Sequence, residues 1–295
     1  MDHSPIRGYS IRHAALAVIY CALSMNDAPP ATIPYLHRLI ISAPFGNYVQ
    51  PSGATATLGT FTAQPRPGRL WRILRTVRYY PRLRAWVNRI GLRNPGIAWL
   101  ADRVRRGRID VSDKIISIHG FDEAEWRDLL HRSAALRPLA VELNMSCPNV
   151  GQIDWPATLF ADALAAMGTQ SRVIVKLPPI NFQTMLHQVL DAGVRTLHCC
   201  NTLPVPAGGI SGKPLKPVAI QCIREVRRQT GDEVNRDLTI IGGGGITSSS
   251  DIDDYADAGA THAAIGTKVF NPIYLCSTRS LRPLIEHADR RLGGP

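Results

Sequence analysis

The sequence predicts an α/β fold of the (β/α)8 TIM-barrel type, and three observations carry that prediction. Eight short apolar or β-rich runs recur along the chain with helical patterns between most of them. Several runs are continuous rather than alternating, such as Val173-Ile174-Val175 and Thr239-Ile240-Ile241, as expected of strands covered on both faces. The length of 295 residues suits a barrel, which commonly takes roughly 250. A doubly wound open sheet is the competing arrangement.

The strands are expected at Leu39–Ser42, Ala54–Thr62, Lys114–His119, Ala140–Asn144, Arg172–Leu177, Thr196–Cys200, Leu238–Gly242 and Thr261–Gly266. Helical periodicity falls at Asp122–Ser133, Pro156–Ala166, Phe182–Ala192, Pro217–Thr230 and Ser248–Ala258, with a closing stretch at Pro272–Arg290. No fixed-period repeat and no long linker calls for a second domain. Residues 1–34 read as an N-terminal extension and 35–295 as the barrel, with a basic insertion near 66–108. The longest apolar run, Ala14–Met25, is short of the roughly 20 residues that span a bilayer. Asp27-Ala28-Pro29-Pro30 makes a poor signal-cleavage site, and the expected location is the cytoplasm.

At 45% hydrophobic and 19% charged, the chain can fill a core and is no disordered polyelectrolyte. Six cysteines without a CxxC pair argue against a disulfide scaffold, a zinc ribbon or an iron–sulfur cluster. No histidine spacing suggests a metal site, so none is expected. The net charge of +11 is local. Thirteen arginines and one acid, Asp102, lie between Arg66 and Arg108, so the remainder of the chain carries −1.

A barrel places its chemistry in the loops at the C-terminal ends of the strands, and the informative residues fall there. The run Gly242-Gly243-Gly244-Gly245 leads into a helix with Asp251 in its first turn, and Gly266-Thr267 follows the next strand. Bare glycine backbone and a helix N-terminus suit a phosphate group, and barrels place phosphate after strands seven and eight. The spacing is not GxGxxG, which disfavours a dinucleotide fold. Lys176 ends an apolar strand and needs an anionic or strongly polar partner there. Asn88, Asn144, Asn149 and Asn201 at predicted loop starts form a set of neutral donors and acceptors suited to a planar, imide-like or carboxylated small molecule. Cysteine is by default a small buried filler, a role that fits Cys21, Cys199, Cys200, Cys222 and Cys276. Cys147, in Asn144-Met145-Ser146-Cys147-Pro148-Asn149, is instead placed to act as nucleophile or general base. His119 and His198 are assigned structural roles.

These motifs resemble those of the dihydroorotate dehydrogenases, and of the related flavin domain of dihydropyrimidine dehydrogenase. The resemblance rests on Glu142-Leu143-Asn144-Met145-Ser146-Cys147-Pro148-Asn149, Val175-Lys176-Leu177-Pro178-Pro179, Asn201-Thr202, Gly208-Gly209-Ile210-Ser211-Gly212 and Ile240-Ile241-Gly242-Gly243-Gly244-Gly245-Ile246, in that order, and covers roughly Leu39–Pro272. It implies an FMN-binding barrel that oxidises dihydroorotate to orotate in pyrimidine synthesis. Cys147 then matches the general base of the class 1 enzymes, and Lys176 the lysine beside the flavin ring. Ala43, Thr60, Asn144, Lys176, Thr202, Ser211, Gly212, Gly244, Gly245, Gly266 and Thr267 match cofactor contacts. Asn88, Gly91, Leu92, Asn144, Asn149, Asn201 and Thr202 match substrate contacts.

Two features depart from the family. Gly59 stands where class 1 members carry a lysine, so a paralogue acting on another pyrimidine or unsaturated substrate is the second reading. The stretch from Thr202 to the Gly208 motif is shorter than in fumarate-using members, which leaves the electron acceptor and the homodimer open. Arg69, Arg72, Arg75 and Arg78, interleaved with Leu70, Trp71, Ile73, Leu74 and Val77, read as a basic amphipathic helix of roughly three turns ended by Pro81. It is expected near the barrel mouth, as a solvated helix, an electrostatic funnel for an anion, or a dock for an anionic membrane or protein partner. A flavin-binding barrel whose role is docking is therefore the third reading. No nucleic-acid motif is present.

Overall fold

A computed structural model of the chain describes residues 35–145 and 155–292. Eight parallel strands close into a barrel: β1 (Leu39–Ile41), β2 (Ala54–Phe61), β5 (Ile115–Ile118), β6 (Ala140–Asn144), β7 (Arg172–Lys176), β8 (Thr196–Cys199), β11 (Thr239–Gly243) and β12 (His262–Ile265). Each falls within, or one residue beyond, one of the eight runs read from the sequence. β1 closes the ring by pairing with β2 through Leu39↔Ala54 and with β12 through Leu39↔Ala263.

Strand periodicity explains what fills the ring. Alternate side chains point inward, so Ile40, Ile115, Ala140, Ile174, Ile241 and Ala264 share one small buried cluster. Two residues further toward the C-terminal mouth, four of those strands carry Ser117, Glu142, Lys176 and Gly243, with His198 between them on β8. The barrel thus turns from apolar to chemical in one step. The larger core lies outside the ring, where strand residues such as Leu143 and Val175 meet Trp126, Phe160 and Leu186 of the surrounding helices.

The helices are α2 (Ile97–Arg105), α3 (Glu123–Leu136), α4 (Leu159–Met167), α5 (Gln183–Asp191), α6 (Leu215–Gln229), α7 (Asp232–Asp237), α8 (Ser249–Asp257), α9 (Ile273–Cys276) and α10 (Arg282–Leu292), preceded by α1 (Arg69–Thr76). In α3 the Asp122 carboxylate accepts the Glu125 N–H at 2.8 Å, and Trp126, Leu129, Leu130 and Ser133 form the buried stripe. The closing stretch expected as one helix is two, α9 and α10, separated by Ser277 and a 3-10 turn at Arg279–Leu281.

The basic insertion is the largest correction. α1 has eight residues rather than three turns, and Arg78 already lies in the next strand. β3 (Arg78–Tyr80), β4 (Ala85–Asn88), β9 (Leu203–Val205) and β10 (Gly208–Gly212) form an antiparallel sheet in the order β3-β4-β10-β9. The strands have three to five residues each, and the pairing that joins the two hairpins, β4 with β10, spans more than a hundred residues, so local pattern does not reveal the sheet. Asn88 therefore ends a strand rather than opening a loop, and pairs with Gly209.

Candidate active site

A cavity of about 810 Å3 opens at the C-terminal ends of the barrel strands, roofed by the antiparallel sheet and α1. Its walls include Ala43, Thr60, Asn88, Gly91, Leu92, Asn144, Lys176, Asn201, Thr202, Ser211, Gly212, Gly244, Gly245, Gly266 and Thr267. Every site residue expected from the sequence and described by the structure therefore lines one cavity. Cys147 and Asn149 lie outside the described residues, in the segment that follows β6.

The floor is a chain of hydrogen bonds crossing four strands. The Asn201 amide donates to Asn144 Oδ1 at 2.8 Å, and Asn144 Nδ2 donates to Thr60 Oγ1 at 3.0 Å. Thr60 Oγ1 and Ser117 Oγ are 3.0 Å apart, and Ser117 donates to Glu142 Oε1 at 2.8 Å. Glu142 Oε2 lies 2.7 Å from His198 Nδ1. Burial pushes His198 below the ordinary histidine range, helped by the nearby Lys176 charge, so the neutral ring donates through Nδ1. Glu142 is fully buried, which alone would raise its carboxyl; Lys176, His198 and Ser117 outweigh burial and hold it at about 2. The partner that Lys176 needs is thus Glu142, an interior charge the sequence reading passed over.

Both histidines assigned structural roles touch this floor. His198 lines the cavity, and a Cβ on Gly243 would sit 2.8 Å from its Nε2, so glycine there makes room for the ring. Buried His119 holds the Asn144 carbonyl through Nδ1 at 2.6 Å. Their missed signal was register: Glu142 and Asn144 share a face by period two, and β8 sets His198 beside Glu142.

The phosphate-type corner is built from glycine. Gly245 has φ +70°, and a Cβ there would lie 2.7 Å from the Gly212 carbonyl. At Gly244, φ +135°, a Cβ would lie 2.8 Å from Leu215 Cγ. Side-chain-free backbone thus lets Gly244–Gly245, Ser211–Gly212 and Gly266–Thr267 converge on the same cavity, a concave cradle fitting a phosphate group. A carboxylate of this chain already stands at the start of α8, where Asp251 Oδ2 accepts from Thr247 N at 2.8 Å and Ser248 N at 3.0 Å.

Gly59 also explains itself. Its φ is +102°, and a Cβ would lie 2.5 Å from the Ser117 carbonyl. No side chain fits at that point of β2, lysine included.

Comparison with known proteins decides the lineage. The dihydroorotate dehydrogenase family model matches residues 46–280. The chain belongs to the dihydroorotate dehydrogenase family. Among its relatives are catalytic subunits of dihydroorotate dehydrogenase B (NAD(+)). The one from Oceanobacillus iheyensis is 35% identical over 215 residues, covering 64% of this chain and 68% of the relative. The one from Pelobacter propionicus is 32% identical over 253 residues, covering 77% and 79%. In fold the chain resembles the crystal structure of the Eimeria tenella enzyme in complex with ferulenol, with TM-score 0.64 at 17% identity, covering 98% of this chain and 96% of that one.

Proposed function

We propose that this member of the dihydroorotate dehydrogenase family oxidises dihydroorotate to orotate, with FMN as its bound cofactor. The observation that carries the reading is the convergence of the amide set, Lys176 and the glycine cradle on one cavity. FMN fits the donor set present: glycine backbone for its phosphate, and Lys176 for a ring that becomes anionic on reduction. When bound it supplies the two-electron acceptor for hydride leaving the substrate.

The chain's own residues do the rest. Asn88, Asn144 and Asn201, with Asn149 after β6, bind the planar ring through its amide groups. Asn144 is fixed for this by Thr60, Asn201 and His119. Cys147, which follows β6 closely in sequence, takes the proton beside the carbonyl, a step worth roughly 10²–10⁴-fold. The Gly91–Leu92 amides and Arg93 receive the carboxylate. Arg93 lines the cavity, and its buried Nε has no hydrogen-bond partner among the described residues, so a cation stands ready although Gly59 carries none.

The reaction is assigned to the cytoplasm, where the thiols of Cys199, Cys200, Cys222 and Cys276 stay reduced. Among the described residues no helix is long and apolar enough to cross a membrane. No cluster-binding cysteine motif is present in the chain, so passing electrons to NAD+ requires a separate subunit, in keeping with relatives named as catalytic subunits.

Anaerobic mixing of FMN-loaded protein with dihydroorotate should bleach the flavin absorbance, and Cys147→Ala should slow bleaching by at least about 100-fold. Protein that cannot be loaded with FMN would sink the reading. The closed Gly59 position favours one alternative, a paralogue for an uncharged cyclic amide. Faster bleaching by dihydrouracil than by dihydroorotate would select it.

A further inference from the structure

α1 packs inward by a narrow edge. Ile73 and Arg69 line the cavity, whereas Leu70, Trp71 and Leu74 on the opposite side are 71%, 63% and 66% exposed. At 100° per residue these three fall within a single 100° arc. Tyr79 and Tyr80 of β3 and Leu83 in the turn after it are exposed too. The rings of Tyr79, Trp86 and Phe270 stack at 4.7 and 4.3 Å, tying this surface to the loop after β12. Ile273 and Leu275 in the following helix are exposed as well. Single exposed apolar side chains are ordinary, but a run of them at one mouth marks a contact surface.

The charge names the partner. Arg66 to Arg93 holds nine arginines with no acid and no lysine. Arg75 lies over the Trp71 ring, with its guanidinium 5.8 Å from the ring centre, and the side chains of α1, β3 and the next turn form no ion pair among the described residues. A protein partner would have to match these cations one by one, because an arginine buried without a carboxylate is costly. A lipid surface is a fluid array of anions that meets cations at any spacing. Leucine and tryptophan beside arginine is the composition that settles at a bilayer interface, with the apolar tips among acyl chains and the guanidinium groups among phosphates.

We propose that α1 and β3 dock the barrel mouth on an anionic phospholipid membrane. The protein is then peripheral, bound by charge and shallow apolar insertion, with its cavity opening beside the lipid surface. This does not depend on the reaction assigned above, and its test needs no substrate.

The full-length protein is floated with vesicles of phosphatidylcholine alone and of phosphatidylcholine with 30% phosphatidylglycerol (about that fraction suffices for a strongly negative surface). Wild type should bind only the anionic vesicles and be released by high salt. Replacing Arg75→Gln, Arg82→Gln and Arg84→Gln together should weaken binding at least about tenfold. Leu70→Ser, Trp71→Ser and Leu74→Ser together should weaken it comparably at unchanged charge, unchanged flavin content and unchanged melting temperature. Four results would each overturn the proposal: wild type that stays with the free protein; an apolar variant that binds as wild type does; an apolar variant with a clearly lower melting temperature, since the face then packs on this chain; or a concentration-dependent dimer abolished by the apolar variant.

Discussion

Glu142 is the residue on which the interior of the barrel turns. An ionised carboxylate buried this fully is tolerated only when its neighbours compensate it, and here the Lys176 charge does so together with hydrogen bonds from neutral His198 and from Ser117. Its folded-state value of about 2 lies below the ordinary 4.5, so the site contributes stability that is complete above about pH 4.5 and is lost as pH falls toward 2. The gap is worth on the order of 3 kcal/mol. Glu142→Gln keeps the shape and leaves the Lys176 cation without its counter-charge. Its urea midpoint at pH 7 should correspond to a loss of roughly 3 kcal/mol, and the deficit should shrink between pH 4.5 and pH 3. A deficit that stays constant with pH would refute the electrostatic account. At this scale the sequence was a partial guide. Asn144, Lys176 and Asn201 stood out because polar groups at strand ends need a reason. Glu142 and His198 did not, because their strands are separated by β7 and only the closed ring brings the two side chains to 2.7 Å.

Among the elements, α8 shows how a predicted feature acquires a different task. Ser248 and Asp251 were legible as a helix start, and the structure contains the full capping box. The same carboxylate bonds the Thr247 hydroxyl at 2.9 Å and pairs with Lys216 of α6 and with Lys213 at 3.2 Å. Asp251 therefore clips the glycine turn after β11 to the helix that follows β10, and its carboxyl is held well below the ordinary range despite burial. We propose that this clip preorganises the glycine turn as a cradle for the phosphate. Asp251→Ala should lower stability by about 2 kcal/mol through the lost cap and should weaken FMN binding, by roughly tenfold if about 1.4 kcal/mol of preorganisation goes with it. Turnover at saturating FMN should change little. FMN titration by fluorescence separates the two, and unaltered affinity would reject the clip. The small antiparallel sheet was not legible, and β10 shows why. Gly208-Gly209-Ile210-Ser211-Gly212 reads as a loop, yet a Cβ on Gly208 would lie 2.2 Å from the Asn88 carbonyl. Glycine there serves close backbone approach, a tertiary demand that has no local periodicity.

For the whole molecule, the barrel was legible because strands buried on both faces are continuous apolar runs, and eight of them alternating with helices leave few topologies open. The basic segment was expected near the barrel mouth, and the structure places α1 and the small antiparallel sheet over the cavity there. That placement has a kinetic consequence in free solution, apart from any membrane. The segment that roofs the cavity holds nine arginines and no acid from Arg66 to Arg93, with Arg69 and Arg93 in the cavity wall, while the chain outside 66–108 is near neutral. Such a field raises the local concentration of an anionic substrate and falls steeply with ionic strength, because charges beyond about 10 Å are screened at 0.1 M salt. Dihydroorotate is an anion, so kcat/KM should drop several-fold between 20 and 200 mM salt while kcat stays level (about 20 Å and 7 Å of screening length bracket the roof). The variant carrying Arg75→Gln, Arg82→Gln and Arg84→Gln should start lower and show a flatter salt dependence, with kcat unchanged because none of the three lines the cavity. Parallel salt dependences in wild type and variant would mean that the roof does not steer. Substrate capture would then rest on the cations that line the cavity itself, Lys176 and Arg93 among them.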